Sequence, residues 1–300
     1  MSDQTRFRRL GAPALVFVLA GAFVGVVAPA SPASAAVPGL MRISATSTLT
    51  SNNFQSVTAV CPVGKVLLSG GYEIVGASGE VTVDDFRPNG GPTTAPTAVT
   101  VGAYEVDEYP DAWMVQAFAV CADPVAGLVR VATSSTYDSF DVHEVTASCP
   151  TGKVLTGSGF ELQEAIGNAV VDDVRPNGTS VTAPTRVDVQ AYEADPFTGP
   201  WSLTAYAICA NPLPGLVQAT VTSTVSSDDY RTVAGVCPIG KVLVGGGFEL
   251  RNAFGSVVMD DFTPNGGPAT GPTVVIVGAY EEDPLGTDWY LRSHAICATM

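Results

Sequence analysis

A cysteine followed by a Gly-Lys pair and a run of glycines occurs three times, and this arrangement could cradle a phosphate group. The stretches are CPVGKVLLSGG from Cys61, CPTGKVLTGSG from Cys149 and CPIGKVLVGGG from Cys237. In the third copy Lys241 has the spacing of a nucleotide-binding loop, but Val242 stands where a Ser or Thr must reach magnesium. The first two copies also carry alanine in place of the leading glycine. The pattern therefore predicts a turn and the start of a strand, not a phosphate site.

The last glycine of each run is shared by all three copies, at Gly71, Gly159 and Gly247. An aromatic residue follows it each time. Packing of that ring over a neighbouring glycine is the expected reason for both residues.

Carboxylates recur at fixed places and are the side chains best suited to hold a cation. Adjacent aspartates come before RPNG or TPNG in each copy, and further acidic residues follow each AYE segment. Carboxylate oxygens are the ligands that calcium prefers, so calcium is the one cofactor that the sequence suggests. The candidate ligands are Asp85, Glu105, Asp107, Asp173, Glu193, Asp195, Asp261, Glu281 and Asp283.

A second interpretation of the recurring acids is structural, and we prefer it. A buried carboxylate needs a partner. One basic position is shared by all three copies, at Lys65, Lys153 and Lys241. These lysines could form an internal ion pair with the acids or cap backbone carbonyls.

Aromatic residues in alternating segments are candidates for stacking on sugar rings. In WMVQAFAVC, Trp113 shares one face with Val115 and Cys121, and that face hardly changes in WSLTAYAIC and WYLRSHAIC. The constant face predicts a core tryptophan. The opposite face varies between copies and offers the candidate ligand contacts, together with the preceding AYE segment: Tyr104, Phe118, Tyr192, Tyr206, Tyr280 and His294.

Catalysis is not expected from these residues. The sequence carries no Ser/His/Asp signature, and neither His143 nor His294 has a histidine at the equivalent position of another copy. Paired carboxylates of a glycosidase are the remaining catalytic option. However, three nearly equal copies favour a scaffold or a multivalent binder over an enzyme.

The chain repeats with a period of 88 residues, which aligns all six cysteines and all three tryptophans. Each copy contributes two cysteines at the same separation, so pairing within a copy is expected. The predicted disulfides are Cys61–Cys121, Cys149–Cys209 and Cys237–Cys297. On chain-entropy grounds, closing a loop of about 60 residues contributes roughly 4 kcal/mol. Metal binding by the cysteines is disfavoured, because the chain has no CxxC pair and contains only two histidines.

Strict alternation of apolar residues predicts an all-β protein with five or six short strands in each copy. TAVTVGAYE and the following tryptophan strand are expected to form a hairpin across the acidic loop VDEYPDA. The fold prediction is three tandem disulfide-closed β repeats of about 88 residues. The repeats either pack around a pseudo-three-fold axis as a β-prism or form three small β-sandwiches.

The N-terminal residues predict export. An apolar run from Leu15 to Val27 follows several arginines and precedes small residues at Ala33 and Ala35, as is typical of a secretory signal peptide. The predicted organisation is a signal peptide at 1–35 and repeats at 36–127, 128–215 and 216–300. A secreted, extracellular protein without a membrane span in its mature chain is therefore expected.

The charge balance limits the partners. With 14 basic against 29 acidic residues, the formal net charge is -15. Nucleic acid is not expected as a partner, because phosphate binding needs a basic surface. Anionic membrane surfaces are disfavoured for the same reason.

The motifs also carry two resemblances. CPVGKVLLSGG, together with FAVCA, AYAICA and HAICA, resembles secreted repeat proteins of actinobacteria over essentially the whole mature chain, and this resemblance implies no activity. The order C-P-x-G, G-F-E-L, D-D and C is similar to the repeats of vitelline membrane outer layer protein I. That second resemblance implies a three-fold β-prism and association with carbohydrate, although the copies here are longer and the AYE segment is extra.

We therefore expect a secreted, non-catalytic, multivalent binding protein of the cell surface or extracellular matrix. Its expected partner is a cell-wall or extracellular glycan, or a surface protein. A structural protein of the envelope or spore surface is the main alternative, and a secreted hydrolase or an inhibitor comes after it.

Overall fold

The computed structural model describes residues 37–194, 196–282 and 284–300, and these residues confirm the all-β prediction with eighteen strands. The first copy contains β1 (Met41–Thr46), β2 (Phe54–Val60), β3 (Val66–Val75), β4 (Val81–Pro88), β5 (Ala98–Glu105) and β6 (Met114–Ala122). The second contains β7 (Val129–Ser134), β8 (Val142–Ser148), β9 (Val154–Gln163), β10 (Ala169–Pro176), β11 (Arg186–Glu193) and β12 (Ser202–Ala210). The third contains β13 (Val217–Thr222), β14 (Tyr230–Val236), β15 (Lys241–Arg251), β16 (Val257–Pro264), β17 (Val274–Glu281) and β18 (Tyr290–Thr299). The predicted signal peptide lies outside the described residues.

The strands form three six-stranded antiparallel sheets, and each sheet takes three strands from one copy and three from another. The strand orders are β1-β6-β3-β16-β17-β14, β2-β5-β4-β9-β12-β7 and β13-β18-β15-β10-β11-β8. Copies one and two share a sheet, as do copies two and three, and the third sheet joins copy three back to copy one. This closed arrangement corresponds to the pseudo-three-fold prism, and it excludes three separate sandwiches.

The predicted hairpin between β5 and β6 is wrong. β5 pairs with β2 and β4, whereas β6 pairs with β1 and β3 in a different sheet. The intervening acidic loop therefore crosses from one sheet to the next. Both strands line the same core from two sides, so both show the alternation that a hairpin would also have produced.

Copies meet at three seams, defined here as the pairings β4–β9, β10–β15 and β16–β3. Each seam contains two residue pairs in register; at the first these are Asp85 with Glu161 and Phe86 with Phe160. The last glycine of each glycine run makes the approach of the two strands feasible. A Cβ at Gly159 would lie 2.2 Å from the Phe86 carbonyl oxygen and 2.6 Å from Cδ of Pro88. The main role of this glycine is therefore the joining of two copies, not the support of an aromatic ring.

Aromatic rings from all three copies fill the centre of the prism. Tyr72 contacts Phe86, Phe160 and Phe262 with ring centroids 5.5 to 6.4 Å apart in edge-to-face geometry. Phe248 joins this cluster through Phe262 at 5.6 Å. All five rings are buried. Because the cluster is built from every copy, the copies share one core.

Replacing Tyr72 by phenylalanine is expected to raise the free energy of unfolding by about 1 kcal/mol. The Tyr72 hydroxyl is buried and has no hydrogen-bond partner among the described residues. Burial, with Asp260 and Asp261 nearby, raises the pKa of this phenol well above its usual range. Urea unfolding followed by circular dichroism measures the change. The reciprocal Phe160→Tyr should lower stability, and a loss of stability in Tyr72→Phe would show that the hydroxyl has a partner.

Each copy is closed by its predicted disulfide. Sulfur–sulfur bonds join Cys61 to Cys121, Cys149 to Cys209 and Cys237 to Cys297. Three disulfides indicate an oxidising, extracellular environment. The structure has no helix, within its described part, that is long and apolar enough to cross a membrane.

The recurring lysines cap backbone carbonyls where each copy begins. Lys65 Nζ donates to the Gly39 carbonyl at 2.9 Å and to Asp123 Oδ1 at 2.7 Å. Lys153 Nζ donates to the Gly127 carbonyl at 2.6 Å, and Lys241 makes the equivalent bond to the Gly215 carbonyl. The structural interpretation of these lysines is confirmed as a backbone cap, and the recurring aspartate pairs are not their partners.

Candidate functional site

Clefts lie at one end of the prism. There the strand of one copy that ends in the AYE segment (β5, β11 or β17) meets a turn of the next copy, namely the turn between β3 and β4 or its equivalent. Glycines in that turn allow the two segments to touch. Gly167 has a φ of 84°, and a Cβ there would lie 2.3 Å from the Glu105 carbonyl oxygen. Gly255 has a φ of 90°, and a Cβ there would lie 2.4 Å from the Glu193 carbonyl oxygen. Each cleft is thus built from two copies.

The cleft between copies two and three, called cleft 2/3 below, has three aromatic residues in its lining. Its volume is about 410 Å³, within the roughly 300–1,000 Å³ typical of ligand sites. The rings of Tyr192 and Phe254 lie 6.0 Å apart at 80°. The complete lining is Asp141, Val142, Tyr192, Glu193, Ala194, Pro196, Phe197, Thr198 and Phe254.

The equivalent cleft between copies one and two, cleft 1/2, has a volume of about 270 Å³. Its lining is Asn53, Glu105, Val106, Asp107, Glu108, Ile166 and Asn168. Beside it the rings of Phe54 and Tyr104 lie 4.5 Å apart. At the third junction the rings of Tyr230 and Tyr280 lie 4.3 Å apart. The AYE tyrosine of every copy therefore has an aromatic partner at this end of the prism.

Two apolar side chains of the clefts are held outward by an unusual backbone. Phe254 has a φ of 47° and Ile166 a φ of 49°, in the left-handed region that bulky and β-branched residues rarely adopt. Phe254 is 66% exposed and Ile166 is 50% exposed. Such a conformation costs on the order of 1–3 kcal/mol and is found most often at functional sites. Neither side chain belongs to the buried core, so core packing does not explain why apolar residues occupy these strained positions.

A buried carboxylate lies at the Phe254 turn. Burial, with Asp173 nearby, raises the pKa of Asp172 well above its ordinary range, although Arg251 and the backbone N–H groups of Phe254 and Gly255 oppose the change. Asp172 Oδ1 has no hydrogen-bond partner among the described residues. One of the recurring aspartate pairs thus lies at the turn that carries the aromatic side chain of cleft 2/3.

The glutamate of each AYE segment positions the loop on the other side of the cleft. Glu193 Oε1 accepts from the Trp201 indole Nε1 at 3.1 Å, and Oε2 accepts from the backbone N–H of Phe197 at 3.1 Å. Glu105 makes the same two bonds to Trp113 and Tyr109, as does Glu281 to Trp289 and Leu285. All three tryptophans are fully buried, as their alternation predicted.

The six predicted ligand contacts fall into two groups. Tyr104, Tyr192 and Tyr280 are partly exposed and lie at the clefts. Phe118, Tyr206 and His294 are buried, with exposures of 1%, 5% and 3%. Side chains from the edge strands cover them: the Arg42 guanidinium lies 4.6 Å from the Phe118 ring centroid, and the Arg130 guanidinium lies 4.5 Å from that of Tyr206.

His294 is enclosed by hydrogen bonds as well as by packing. Its Nε2 lies 3.0 Å from Glu249 Oε1, and its Nδ1 lies 3.0 Å from Gln218 Nε2. Its ring and those of Phe118 and Tyr206 are therefore buried, whereas the tyrosines at the clefts keep part of their surface accessible.

The candidate calcium ligands do not converge. Asp85 pairs with Gly102 on the outer face of its sheet, whereas Glu105 pairs with Val81 and is turned inward to Trp113. Over residues 37–194, 196–282 and 284–300, no group of three or more His, Cys, Asp or Glu residues could hold a metal ion. Asp195 and Asp283 lie outside the described residues. The remaining candidates, Asp107, Asp173, Glu193, Asp261 and Glu281, are likewise spread over the cleft and seam regions of different copies.

Phe197, Ile166 and Phe254 were missed by the sequence analysis. Phe254 and Ile166 come directly before an invariant glycine, but the first copy has Ser78 there, so the apolar character does not repeat. Phe197 likewise corresponds to Tyr109 and Leu285. A bulky apolar residue before a turn glycine was the available signal.

No family model and no curated protein match the sequence. Among solved structures, the major capsid protein P2 of bacteriophage PM2 is 7% identical, over 57% of this chain and 96% of the capsid chain, with a TM-score of 0.24. Translation elongation factor SelB of Methanococcus maripaludis, in its apo form, is 10% identical, over 87% of this chain and 63% of its own, with a TM-score of 0.15. At such TM-scores neither likeness carries an argument about fold or function.

Proposed function

We propose that this is a secreted, non-catalytic, multivalent binding protein whose clefts hold an extracellular glycan. The observation that carries the proposal is the outward display of Phe254 and Ile166 from strained turns, beside the AYE tyrosines of the preceding copy. Aromatic and apolar faces flanked by polar side chains suit sugar rings, which have one apolar face and a rim of hydroxyl groups.

Repetition supports a polymeric ligand. Equivalent junctions occur at the same end of the prism, because the three copies are related by a pseudo-three-fold axis. Binding a second repeating unit of one polymer is an intramolecular event, so overall avidity exceeds the affinity of one cleft. The similarity of the sequence motifs to vitelline membrane outer layer protein I is a further ground for a glycan ligand. We also propose that the chain is one of the secreted repeat proteins of actinobacteria that its motifs resemble.

Replacing Phe254 by glycine should separate binding from stability. The variant is expected to bind the glycan at least about 10-fold more weakly, a loss of roughly 1.4 kcal/mol. Its free energy of unfolding should stay the same or rise by up to about 1 kcal/mol, because glycine adopts the left-handed conformation without strain. A glycan array identifies the ligand, and calorimetric titration with urea unfolding measures both effects.

The matched control is Ile239→Ala. Ile239 is exposed, like Phe254, but lies in the turn between β14 and β15 at the opposite end of the prism. This variant should bind as the wild type does. Equal binding by Phe254→Gly and the wild type would contradict the role of the cleft. An array without any bound glycan would contradict the proposed function and leave the structural-envelope alternative.

A further inference from the structure

We infer that the clefts select glycans that carry amino groups and reject glycans that carry carboxylate, sulfate or phosphate. This inference rests on the proposed function and names the class of sugar polymer. It follows from the charges at the clefts and from the aromatic faces beside them.

Carboxylates line the clefts without compensating cations. Asp141 borders cleft 2/3 and is exposed, and its carboxylate makes no ion pair or hydrogen bond with the described residues. Asp107 and Glu108 are exposed in the lining of cleft 1/2. Neither described lining contains Lys or Arg. The charged group of an anionic sugar entering either cleft would lose water and be repelled by these carboxylates.

The arginine near cleft 2/3 is already neutralised by other acids. Arg251 acts electrostatically on the Tyr192 hydroxyl. However, the Arg251 guanidinium is paired with Glu249 and lies 3.6 Å from Asp173. The formal net charge of -15 shows that the chain as a whole also has an excess of negative charge. Long-range steering therefore favours cationic ligands as well.

The aromatic rings add a preference for an ammonium group over a neutral hydroxyl. A cation near the face of Tyr or Phe is attracted by the ring quadrupole, by about 0.5–1 kcal/mol at exposed sites. Tyr192, Phe197 and Phe254 offer such faces in the cleft that also contains Asp141. A protonated amino sugar can contact both features at once, whereas a neutral sugar uses the rings alone.

Three oligosaccharides of equal length and the same β-1,4 linkage test the inference: oligoglucosamine, cello-oligosaccharide and oligoglucuronate. Calorimetric titration is done at about pH 5.5, where exposed aspartates are ionised and amino groups are protonated. Oligoglucosamine should bind the wild type about 5-fold more tightly than the cello-oligosaccharide. Oligoglucuronate should bind at least about 10-fold more weakly than the neutral sugar.

Asp141→Asn is the diagnostic variant, because it keeps the shape and removes one charge. It should reduce the preference of cleft 2/3 for oligoglucosamine over the cello-oligosaccharide to within about 2-fold. Salt at about 0.5 M should reduce the preference of the wild type similarly.

The outcomes distinguish the inference from the proposed function. Equal binding of all three sugars, or tighter binding of oligoglucuronate, would overturn the inference and leave glycan binding in place. Binding of oligolysine without binding of any sugar would overturn both, because the clefts would then recognise charge alone.

Discussion

Replacing Gly159 by alanine is expected to lower the free energy of unfolding by about 3 kcal/mol or more. The added methyl group would lie 2.2 Å from the carbonyl oxygen of Phe86, which is a backbone atom in the partner strand of the seam. Relief therefore requires the strands of two copies to move apart. Because only two residue pairs are in register at this seam, such a movement threatens the entire pairing. Urea unfolding with the disulfides intact measures the loss.

Gly286→Ala is the control for the Gly159 variant. No atom lies within 4 Å of a Cβ at Gly286, and its φ is not in the left-handed region. Its free energy of unfolding should change by no more than about 0.5 kcal/mol. If the two variants unfold at the same urea concentration, the close approach of strands at the seam is wrong. Gly71 and Gly247 occupy the other two seams and should behave as Gly159 does.

The seams explain which parts of the fold the sequence could predict. Disulfide pairing and the buried faces of the strands follow from features that repeat within each copy, so both predictions were confirmed. Exchange of strands between copies leaves no such trace, because a segment can pair with its own copy or with the next copy through the same residues. The repeated glycine suggested packing beneath the aromatic ring that follows it. Its close neighbour is instead the backbone of a strand in another copy, which could only be found in three dimensions.

The clefts show the same limit. Each contains residues from two copies, so no local pattern places Tyr192 beside Phe254. Alternation did predict that Tyr104 and its equivalents face outward. It equally suggested that Phe118 and its equivalents do so. Arginines on the edge strands cover Phe118 and Tyr206 instead, and Gln218 encloses His294. A period-2 pattern identifies a face of a strand, but not what lies over that face.

Carboxylates face each other across every seam. Asp85 is opposite Glu161, Asp173 is opposite Glu249, and Asp261 is opposite Glu73. Directly opposed like charges destabilise a pair of strands. The seams differ in the groups that compensate for this repulsion.

Two seams have basic groups in ion pairs, whereas the third has a hydroxyl and Arg42, which favours the ionised form of Glu73 from beyond ion-pair distance. Arg87 lies 2.7 Å from Glu161 at the first seam. At the second, burial of Glu249 is outweighed by His294 and Arg251, so the pKa of this glutamate falls to about 2. At the third, which closes the ring, the Tyr230 hydroxyl lies 3.4 Å from Asp261, and within the described chain neither Asp261 nor Glu73 has an ion pair within 4.0 Å.

The protein is therefore expected to lose stability as pH rises from about 4 to about 8. Burial, with neighbouring carboxylates, raises the pKa of Asp84 and of Asp260 from 3.8 to about 8. Between these values the folded chain keeps protons that the unfolded chain releases, so the free energy of unfolding decreases with pH. Each group contributes a slope of up to about 1.4 kcal/mol per pH unit. In the acid range the free energy of unfolding instead decreases as pH falls. The reason is that the stabilisation from ionised Glu249 is lost between its unfolded pKa of 4.5 and its folded pKa of about 2.

Asp84→Asn combined with Asp260→Asn tests this account, because asparagine stays neutral at every pH. At about pH 8.5 the double variant should be several kcal/mol more stable than the wild type, and the difference should shrink as pH falls and be nearly gone at about pH 3.5, below the unfolded pKa of both aspartates. Replacing the exposed Asp111 by asparagine should leave the pH profile unchanged. Urea midpoints measured across this range decide the question, and parallel profiles for wild type and double variant would refute it. Because the seam closed by β3 and β16 has the least compensation, amide hydrogen exchange in alkali should rise there first.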